Sequence, residues 1–371
     1  MGIIWLVVFF LNLLFASGIM VTYLARNHKN KSLDNAGPNY NLKRALVILP
    51  IRGVDYRLEE NLESLKKQTW KNYDVIAVVD SEDDSSVPFL KNAGIRYIHS
   101  SEKCDNCSGK VRAILSALRK FPSYDFYVIA DSDIRVKREW LSLLLAQLNN
   151  YDVGVSTSFP VFYPVGGFWS RVKMFWGAVG QSMMESDLTK FVWGGSMAFR
   201  RDFIDEDLIR ELSNSISDDV AVLRIVKNKG LKISYVPDAA PDIYSNEDFT
   251  RFMEWSNRQT SFSMYSTKKV FIFGIIYYGI TIYLVISSIL FAVLVNTIFL
   301  LFIFPFIFNS INSQRKLPVK VWYFFAITFI LPFIYAWNLI QGLWRNEVTW
   351  RGRVYNLSKN YQPKPESTRR Y

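Results

Sequence analysis

Hydrophobic and polar positions along this chain follow two different regimes. Three stretches, 3–25, 270–308 and 321–344, contain no Asp, Glu, Lys or Arg. Uncharged apolar runs of about 18 residues or more read as membrane-spanning helices. The first predicts an anchor over 1–26, since it is too long for the apolar core of a secretory leader and no charged segment precedes it. The second is long enough for two helices, with a break expected near Ser287 and Ser288 or at Asn296, and the third predicts one more. Just ahead of them, residues 250–269 are basic, aromatic and Met-containing, which suits a segment lying on the membrane surface. The spanning or re-entrant region is therefore expected over 270–344.

Residues 44–249 are patterned differently. Short β-rich runs at 45–49, 74–79, 95–98 and 126–130 alternate with runs of helical periodicity at 58–67 and 111–120. That alternation predicts an α/β domain built on a mostly parallel sheet with helices on both faces. Residues 27–43 read as a linker and 345–371 as a basic tail. Ligands of such sheets bind beyond the carboxyl ends of the strands, so the residues just after each strand are the ones to inspect.

Composition sharpens this picture. Half of the 371 residues are hydrophobic and only 21% are charged, which excludes a disordered chain. Basic residues outnumber acidic ones by 44 to 33, giving +11. Many cations flank the apolar stretches: Arg26, Lys29 and Lys31, then Arg315, Lys316 and Lys320, then Arg345, Arg351 and Arg353. This placement assigns the excess to a membrane face and not to nucleic acid. Cations directly after the first stretch put the amino terminus outside and the following domain in the cytoplasm. One anchor and three later spans would send the tail outside, yet the tail is basic. A cytoplasmic tail is expected, with one apparent span interfacial or re-entrant.

The two cysteines, Cys104 and Cys107, are spaced C-x-x-C, with no second pair and no suitably spaced histidine to complete a zinc site. A polar loop before a helix is the preferred reading over a redox pair. His99 reads as structural. Trp169, Phe175 and Trp176 read as helix packing, either facing the membrane or lining an acceptor site.

Two predicted strands end in acids. The 74–79 run leads into Asp80, with Glu82, Asp83 and Asp84 behind it, and the 126–130 run leads into Asp131-Ser132-Asp133. Hard divalent cations take carboxylate oxygens, and magnesium binds one or two of them together with substrate phosphates. The D-S-D at a strand end thus suits a metal plus a diphosphate. Ser217-Asp218-Asp219 opens a further helical run, where the acids either favour the helix start or supply a general base.

These motifs occur in a recognisable order. Leu49-Pro50-Ile51-Arg52-Gly53-Val54-Asp55 comes first, then Asn61-Leu62-Glu63-Ser64 and Val79-Asp80-Ser81-Glu82-Asp83-Asp84. Gly109-Lys110, Asp131-Ser132-Asp133 and Trp193-Gly194-Gly195-Ser196 follow. Ile216-Ser217-Asp218-Asp219, Trp255 with Arg258, and Val348-Thr349-Trp350-Arg351-Gly352-Arg353-Val354-Tyr355 complete the set. The chain resembles the inverting family-2-type membrane glycosyltransferases with a GT-A nucleotide-sugar fold, and ceramide glucosyltransferases most of all.

The resemblance implies a role for each matching residue. Asp80 would bind the nucleotide base and Lys110 would help hold the nucleotide. Asp133 would ligate a divalent Mn or Mg ion, with Asp131 also at the metal and near the ribose or sugar. Asp219, paired with Asp218, would be the catalytic base. Trp255, Arg258, Arg351 and Arg353 would line the substrate site; on its own terms Gly194-Gly195 either lets the backbone come close to the sugar, with Gly195 in the substrate site, or only marks a turn. The implied partners are a nucleotide-sugar donor, UDP-linked by expectation, a lipid acceptor and the membrane, with no nucleic acid.

Two departures stand out. Residues 251–255 read Arg-Phe-Met-Glu-Trp, so Glu254 stands where the family's R-x-x-R-W segment has its second arginine. A carboxylate cannot neutralise a leaving phosphate, which turns attention to Arg258. The D-S-D is complete, whereas ceramide enzymes tend to keep only its first Asp, and this pulls the chain toward the wider family. The expected activity is transfer of a hexose from a nucleoside-diphosphate sugar to a lipid hydroxyl. Rival readings are a processive polysaccharide synthase, a polyprenyl-phosphate sugar transferase and a non-catalytic membrane scaffold.

Overall fold

The computed structural model describes residues 2–26, 43–104, 106–187, 189–314, 317 and 321–357; the linker and the last part of the tail lie outside the described residues. Helix α1 (Gly2–Arg26) comes first. There follow β1 (Ala45–Pro50), α2 (Leu58–Lys66), β2 (Tyr73–Val79), α3 (Val87–Ala93), β3 (Arg96–His99), α4 (Gly109–Lys120) and β4 (Phe126–Ala130). Next are α5 (Trp140–Gln147), β5 (Val153–Thr157), β6 (Val161–Pro164), α6 (Phe168–Met184) and β7 (Ser196–Arg200). Then come α7 (Glu206–Ser213), α8 (Asp218–Asn228), β8 (Lys232–Tyr235) and β9 (Asp242–Ser245). The chain continues with α9 (Phe249–Ser266), α10 (Lys269–Leu294), α11 (Phe304–Gln314), α12 (Val321–Trp344), β10 (Glu347–Trp350) and β11 (Arg353–Asn356).

These elements form two compact units that interleave along the chain. One gathers residues 31–163, 190–245 and 346–371 around the sheet, and the other gathers 1–30, 164–189 and 246–345. In the first, seven strands run in the order β3-β2-β1-β4-β7-β5-β8. Strand β1 pairs in parallel with both β2 and β4, and its residues 45–49 are wholly buried. A strand covered on both faces reads as a continuous apolar run, as Ala-Leu-Val-Ile-Leu does here. Strand β7 is antiparallel to both β4 and β5, so the sheet is mixed but mainly parallel. The expected α/β architecture is the observed one.

Register fixes where the chemistry falls. Pro50 lies opposite Val78, and Ile48 opposite Ile129, so the chain leaves β1, β2 and β4 along one edge of the sheet. Because β7 runs the other way, its first residue, Ser196, pairs with Ala130, and Gly194-Gly195 arrive at that same edge. The amino ends of α4 and α8 complete it. Ser108 caps α4 by accepting from the Val111 amide at 3.2 Å. Cys104 and Cys107 are disulfide-bonded to each other in the loop ahead of α4.

In the second unit, four segments among the described residues are long and apolar enough to cross a membrane: Ile3–Val21, Lys269–Leu294, Thr297–Gln314 and Ala326–Trp344. Of the two positions expected for a break, Asn296 is the real one: α10 ends at Leu294, and the Asn296 side chain accepts from the Ile298 amide at 2.9 Å. Ser287 stays helical and donates to Asn12 Oδ1 of α1 at 3.0 Å. Small hydroxyl and amide groups tie apolar helices together where water is excluded. Asn338, fully buried in α12, does the same on a larger scale. It donates to Ser256 Oγ at 3.1 Å and Asn257 Oδ1 at 2.8 Å, and accepts from Trp176 Nε1 at 3.2 Å.

The aromatic residues of α6 are packing residues. Trp169 stacks on Phe252, Phe175 is buried, and Trp176 stacks on Tyr335 with ring centres 5.1 Å apart.

Candidate active site

Acids, cations and glycines converge on one edge of the sheet. Lys110, the second residue of α4, is its hub. Its Nζ lies 2.7 Å from Asp131 Oδ1, 3.2 Å from Asp218 Oδ2 and 3.2 Å from the Gly194 carbonyl. An ammonium has three hydrogens, and three protein oxygens surround this one. The side chains of Lys110 and Asp218 are only 10% and 6% exposed. Burial opposes the lysine's charge, but the carboxylates of Asp131 and Asp218 outweigh it and hold the ammonium above the usual lysine range. Burial pushes Asp218 the other way, up to about 6 despite Lys110, with Asp219 and Asp131 adding to the effect.

The two glycines make this crowding feasible. A Cβ at Gly194 would lie 2.5 Å from Asp218 Oδ2, and one at Gly195 would lie 2.7 Å from Asp131 Oδ2. No side chain fits at either position, so Gly194 and Gly195 are needed for the close approach of the two carboxylates. The segment is also anchored from behind. Trp140, fully buried, donates from Nε1 to Ser196 Oγ at 2.8 Å, and the Trp193 amide donates to Thr157 Oγ1 at 3.1 Å.

Asp219 is differently placed. It is part-exposed in the first turn of α8, where its Oδ1 accepts from the Val220 amide at 2.8 Å and from Ser217 Oγ. Ser217 opens the helix without capping it through its side chain. The helix start favours both ionised acids. Of the pair, Asp219 is the one that keeps exposed surface, while Asp218 is enclosed by Lys110 and Gly194.

A second cluster surrounds Asp80. Arg112 reaches its Oδ1 at 3.1 Å, while Arg353 and Arg52 reach Oδ2 at 3.0 and 3.4 Å. Arg353 comes from the hairpin β10–β11, close to the end of the described chain. The Tyr355 hydroxyl on the same hairpin accepts from the Gly109 amide at 3.2 Å, and a Cβ at Gly109 would collide with the Arg353 guanidinium. Glycine at position 109 is thus what lets the hairpin meet the start of α4.

The third contact of the hairpin reaches the D-S-D. Arg351 meets Asp55 Oδ1 at 2.5 Å and the Arg52 carbonyl at 3.2 Å, and Asp55 Oδ2 accepts from Ser132 Oγ at 2.5 Å. Burial works against the Arg351 charge, but Asp55, Asp133 and Asp131 outweigh it and hold the guanidinium above its ordinary range. Arg351 and Gly352 both have left-handed φ, 51° and 75°, the geometry of a two-residue type I′ turn.

Asp131 and Asp133 are the carboxylates that the end of β4 offers to a divalent cation. Among the described residues no three His, Cys, Asp or Glu side chains come together as a metal cage. One or two carboxylates suit Mg2+ or Mn2+, which complete their shells with water and substrate phosphate, and do not suit structural zinc. The donor set therefore fits the cation expected from the sequence.

The sheet unit thus contains Asp80, Lys110, Asp131, Asp133, Gly195, Asp218, Asp219, Arg351 and Arg353. Trp255 and Arg258 lie on α9, in the other unit. Trp255 packs there against Trp176, with ring centres 4.9 Å apart, and under Lys173 Nζ at 4.6 Å. Sequence reasoning assigned no role to Arg52, Asp55, Arg112 or Tyr355. The strand-end rule could have found Arg52 and Asp55, which follow β1 directly; Tyr355 closes the W-R-G-R motif without a role of its own, and nothing in the local sequence singles out Arg112.

Comparison with known proteins agrees with this fold. The family model of glycosyl transferase family 21 matches residues 10–362. Among solved structures, the chain is similar to the mannosyltransferase PcManGT from Pyrobaculum calidifontis, in complex with GDP-Man and Mn2+. That match has 16% identity, covers 90% of this chain and 98% of that one, and has a TM-score of 0.58. A looser likeness links it to glucosyl-3-phosphoglycerate synthase from Mycobacterium tuberculosis, in complex with Mn2+, UDP-glucose and phosphoglyceric acid. There the identity is 16%, the coverage 63% and 86%, and the TM-score 0.43. The shared architecture is the GT-A nucleotide-sugar fold.

Proposed function

The chain belongs to glycosyl transferase family 21, and from that premise we propose that it is an inverting, metal-dependent enzyme acting at the membrane. It would move a hexose from a UDP-sugar to the hydroxyl of a lipid such as ceramide, with the sheet domain on the cytoplasmic face. The observation that carries this reading is the convergence of Asp131, Lys110 and Asp218. It joins the acids suited to a cation and diphosphate to the helix that presents Asp219.

In this mechanism Asp219 accepts the proton of the acceptor hydroxyl. The hydroxyl oxygen forms its bond to the anomeric carbon on the face opposite the diphosphate, and the sugar–diphosphate bond breaks, inverting the centre. Lys110 holds Asp131 and keeps Asp218 turned inward, leaving Asp219 as the carboxylate open to substrate. Asp80, set among Arg52, Arg112 and Arg353, marks the nucleotide end, and Gly195 allows the sugar to approach the backbone. Asp133, with Asp131, would hold a divalent cation, which neutralises charge on the departing diphosphate when bound. Trp255 and Arg258 would line the substrate site, as the sequence leads one to expect.

Four apolar segments support a lipid acceptor, since an enzyme anchored in a bilayer meets lipid hydroxyls directly. PcManGT, with its bound GDP-Man and Mn2+, supports a nucleoside-diphosphate donor and a divalent ion.

The test is turnover of a panel of nucleotide sugars by purified protein with Mn2+ or Mg2+ and mixed lipid extract. Sugar appearing on lipid, and lost by about 1,000-fold or more in Asp219→Asn, is the expected result. Long polymer would point instead to a synthase, and transfer to a lipid phosphate to a polyprenyl-phosphate enzyme. Donor binding without transfer to any lipid would leave a scaffold.

A further inference from the structure

Glu254 leaves a question of charge: some other cation must meet the diphosphate as it departs. The β10–β11 hairpin brings one to the acids of the D-S-D. Arg351 is paired with Asp55, Asp55 accepts from Ser132 inside the motif, and Arg351 lies in the field of Asp133 and Asp131. Arg351 also occupies a left-handed backbone position, φ 51°, which is unfavourable for a residue other than Gly, Asn or Asp. An Asn-Gly turn would close this hairpin with less strain. The arginine therefore has a use that the turn itself does not explain.

We propose that Arg351 is an exchangeable counter-ion of the donor site. In the donor-free protein its guanidinium sits with Asp55 and balances the D-S-D acids. When cation and nucleotide enter, the cation takes over those acids and the guanidinium passes to the diphosphate. Arg351 then supplies the leaving-group charge that position 254 lacks. Arg353 on Asp80 and Tyr355 on Gly109 anchor the hairpin while Arg351 changes partner. The inference rests on the proposed donor and cation chemistry.

Exchange makes two affinities move in opposite directions, which loss of hairpin structure would not do. The informative variant is Arg351→Asn, because Asn-Gly is the preferred sequence for this turn and the hairpin is retained. Binding of Mn2+ alone, read by electron paramagnetic resonance without any donor, is expected to tighten roughly three- to tenfold, since a competing positive charge is gone. Binding of UDP at saturating Mn2+, read by calorimetry, is expected to weaken about tenfold or more. Arg351→Lys keeps the charge and should leave Mn2+ binding near wild type while weakening UDP. If Arg351→Asn leaves Mn2+ binding unchanged, or weakens both ligands together, Arg351 is not an exchanging counter-ion. If the wild-type protein binds neither Mn2+ nor UDP, the donor chemistry itself is wrong and the inference falls with it.

Discussion

Lys110 Nζ stands 3.2 Å from the buried Asp218 carboxylate and 2.7 Å from Asp131, tying the first turn of α8 to the end of β4. The family resemblance makes this lysine a nucleotide contact, but the geometry favours a strut. Its hydrogens already point at three protein oxygens, and a nucleotide would have to displace one of them.

The two roles predict different kinetics. In Lys110→Ala, Asp131 and Asp218 lose their shared counter-ion and the base helix loses its tie to the D-S-D. Turnover is expected to fall about 100-fold, the loss typical of misplaced reacting groups, while UDP affinity at saturating Mn2+ changes less than about threefold. Single-turnover kinetics and UDP calorimetry separate these effects. A loss of UDP affinity as large as the loss of rate would make Lys110 a nucleotide ligand after all.

Asp218 carries a pH signature. Its carboxyl titrates at about 6 in the folded protein, against an ordinary value of 3.8. A carboxyl raised on folding contributes stability that is present below its unfolded value and lost as pH rises through its folded value. The window runs from about pH 4 to 6, and linkage allows up to roughly 3 kcal/mol across it. Asp218→Asn has no such proton to lose. It should melt close to wild type near pH 4 and above wild type at pH 7, in detergent scans at stepped pH. A wild-type advantage that grows with pH would reverse the sign and show that the pair with Lys110 outweighs burial.

Much of this site was legible because the strand-end rule is a consequence of parallel pairing. Once 45–49, 74–79 and 126–130 read as parallel strands of one sheet, Asp80 and Asp131 had to lie along the same edge. Asn296 was legible as a break because an Asn between two apolar runs can cap a new helix. The strands after residue 150 were not read. Segments such as Val153–Thr157 and Ser196–Arg200 are short, and the antiparallel β7 has no helix–strand alternation to announce it. The hairpin was missed for a related reason: Arg351-Gly352 is not a usual turn pair, so the W-R-G-R run, although its arginines were expected at the substrate site, read as part of a basic tail and not as two strands. Arg112 meets Asp80 only because α4 packs beside β2, which is tertiary information.

Asn338 offers a test in the helical unit. Replacing it with Leu keeps α12 apolar but leaves Ser256, Asn257 and Trp176 without their shared partner. Buried polar groups stripped of partners lower stability, by about 1–2 kcal/mol among apolar helices. Asn338→Leu should therefore melt several degrees below wild type, whereas Trp337→Leu, on an exposed neighbour, should not. Equal melting of the two variants would reduce the network to incidental contacts.

The hairpin also constrains topology. Residues 346–357 bond to Asp55, Asp80 and Gly109 of the sheet unit, so the two chain segments lie on one side of the membrane. Between Lys269 and Arg345 the chain must then cross an even number of times, yet three candidate spans lie there. One of them is therefore expected not to cross. By the positive-inside rule, the cations Arg315, Lys316 and Lys320 of the sequence are expected on the same side as the sheet domain. On that expectation α10 and Thr297–Gln314 are the crossing pair and α12 is the returning element. Its composition agrees: Pro332 interrupts its hydrogen-bond ladder, and Asn338 and Tyr335 bond to α9 and α6. In a Cys104→Ser, Cys107→Ser background, Leu317→Cys and a cysteine placed after residue 357 should react with an impermeant thiol reagent from the same face of sealed vesicles. Val295→Cys should react only from the opposite face. Labelling of Leu317→Cys and Val295→Cys from one face would instead make Thr297–Gln314 the segment that turns back. Labelling of the tail from the face opposite the sheet domain would contradict the hairpin contacts themselves.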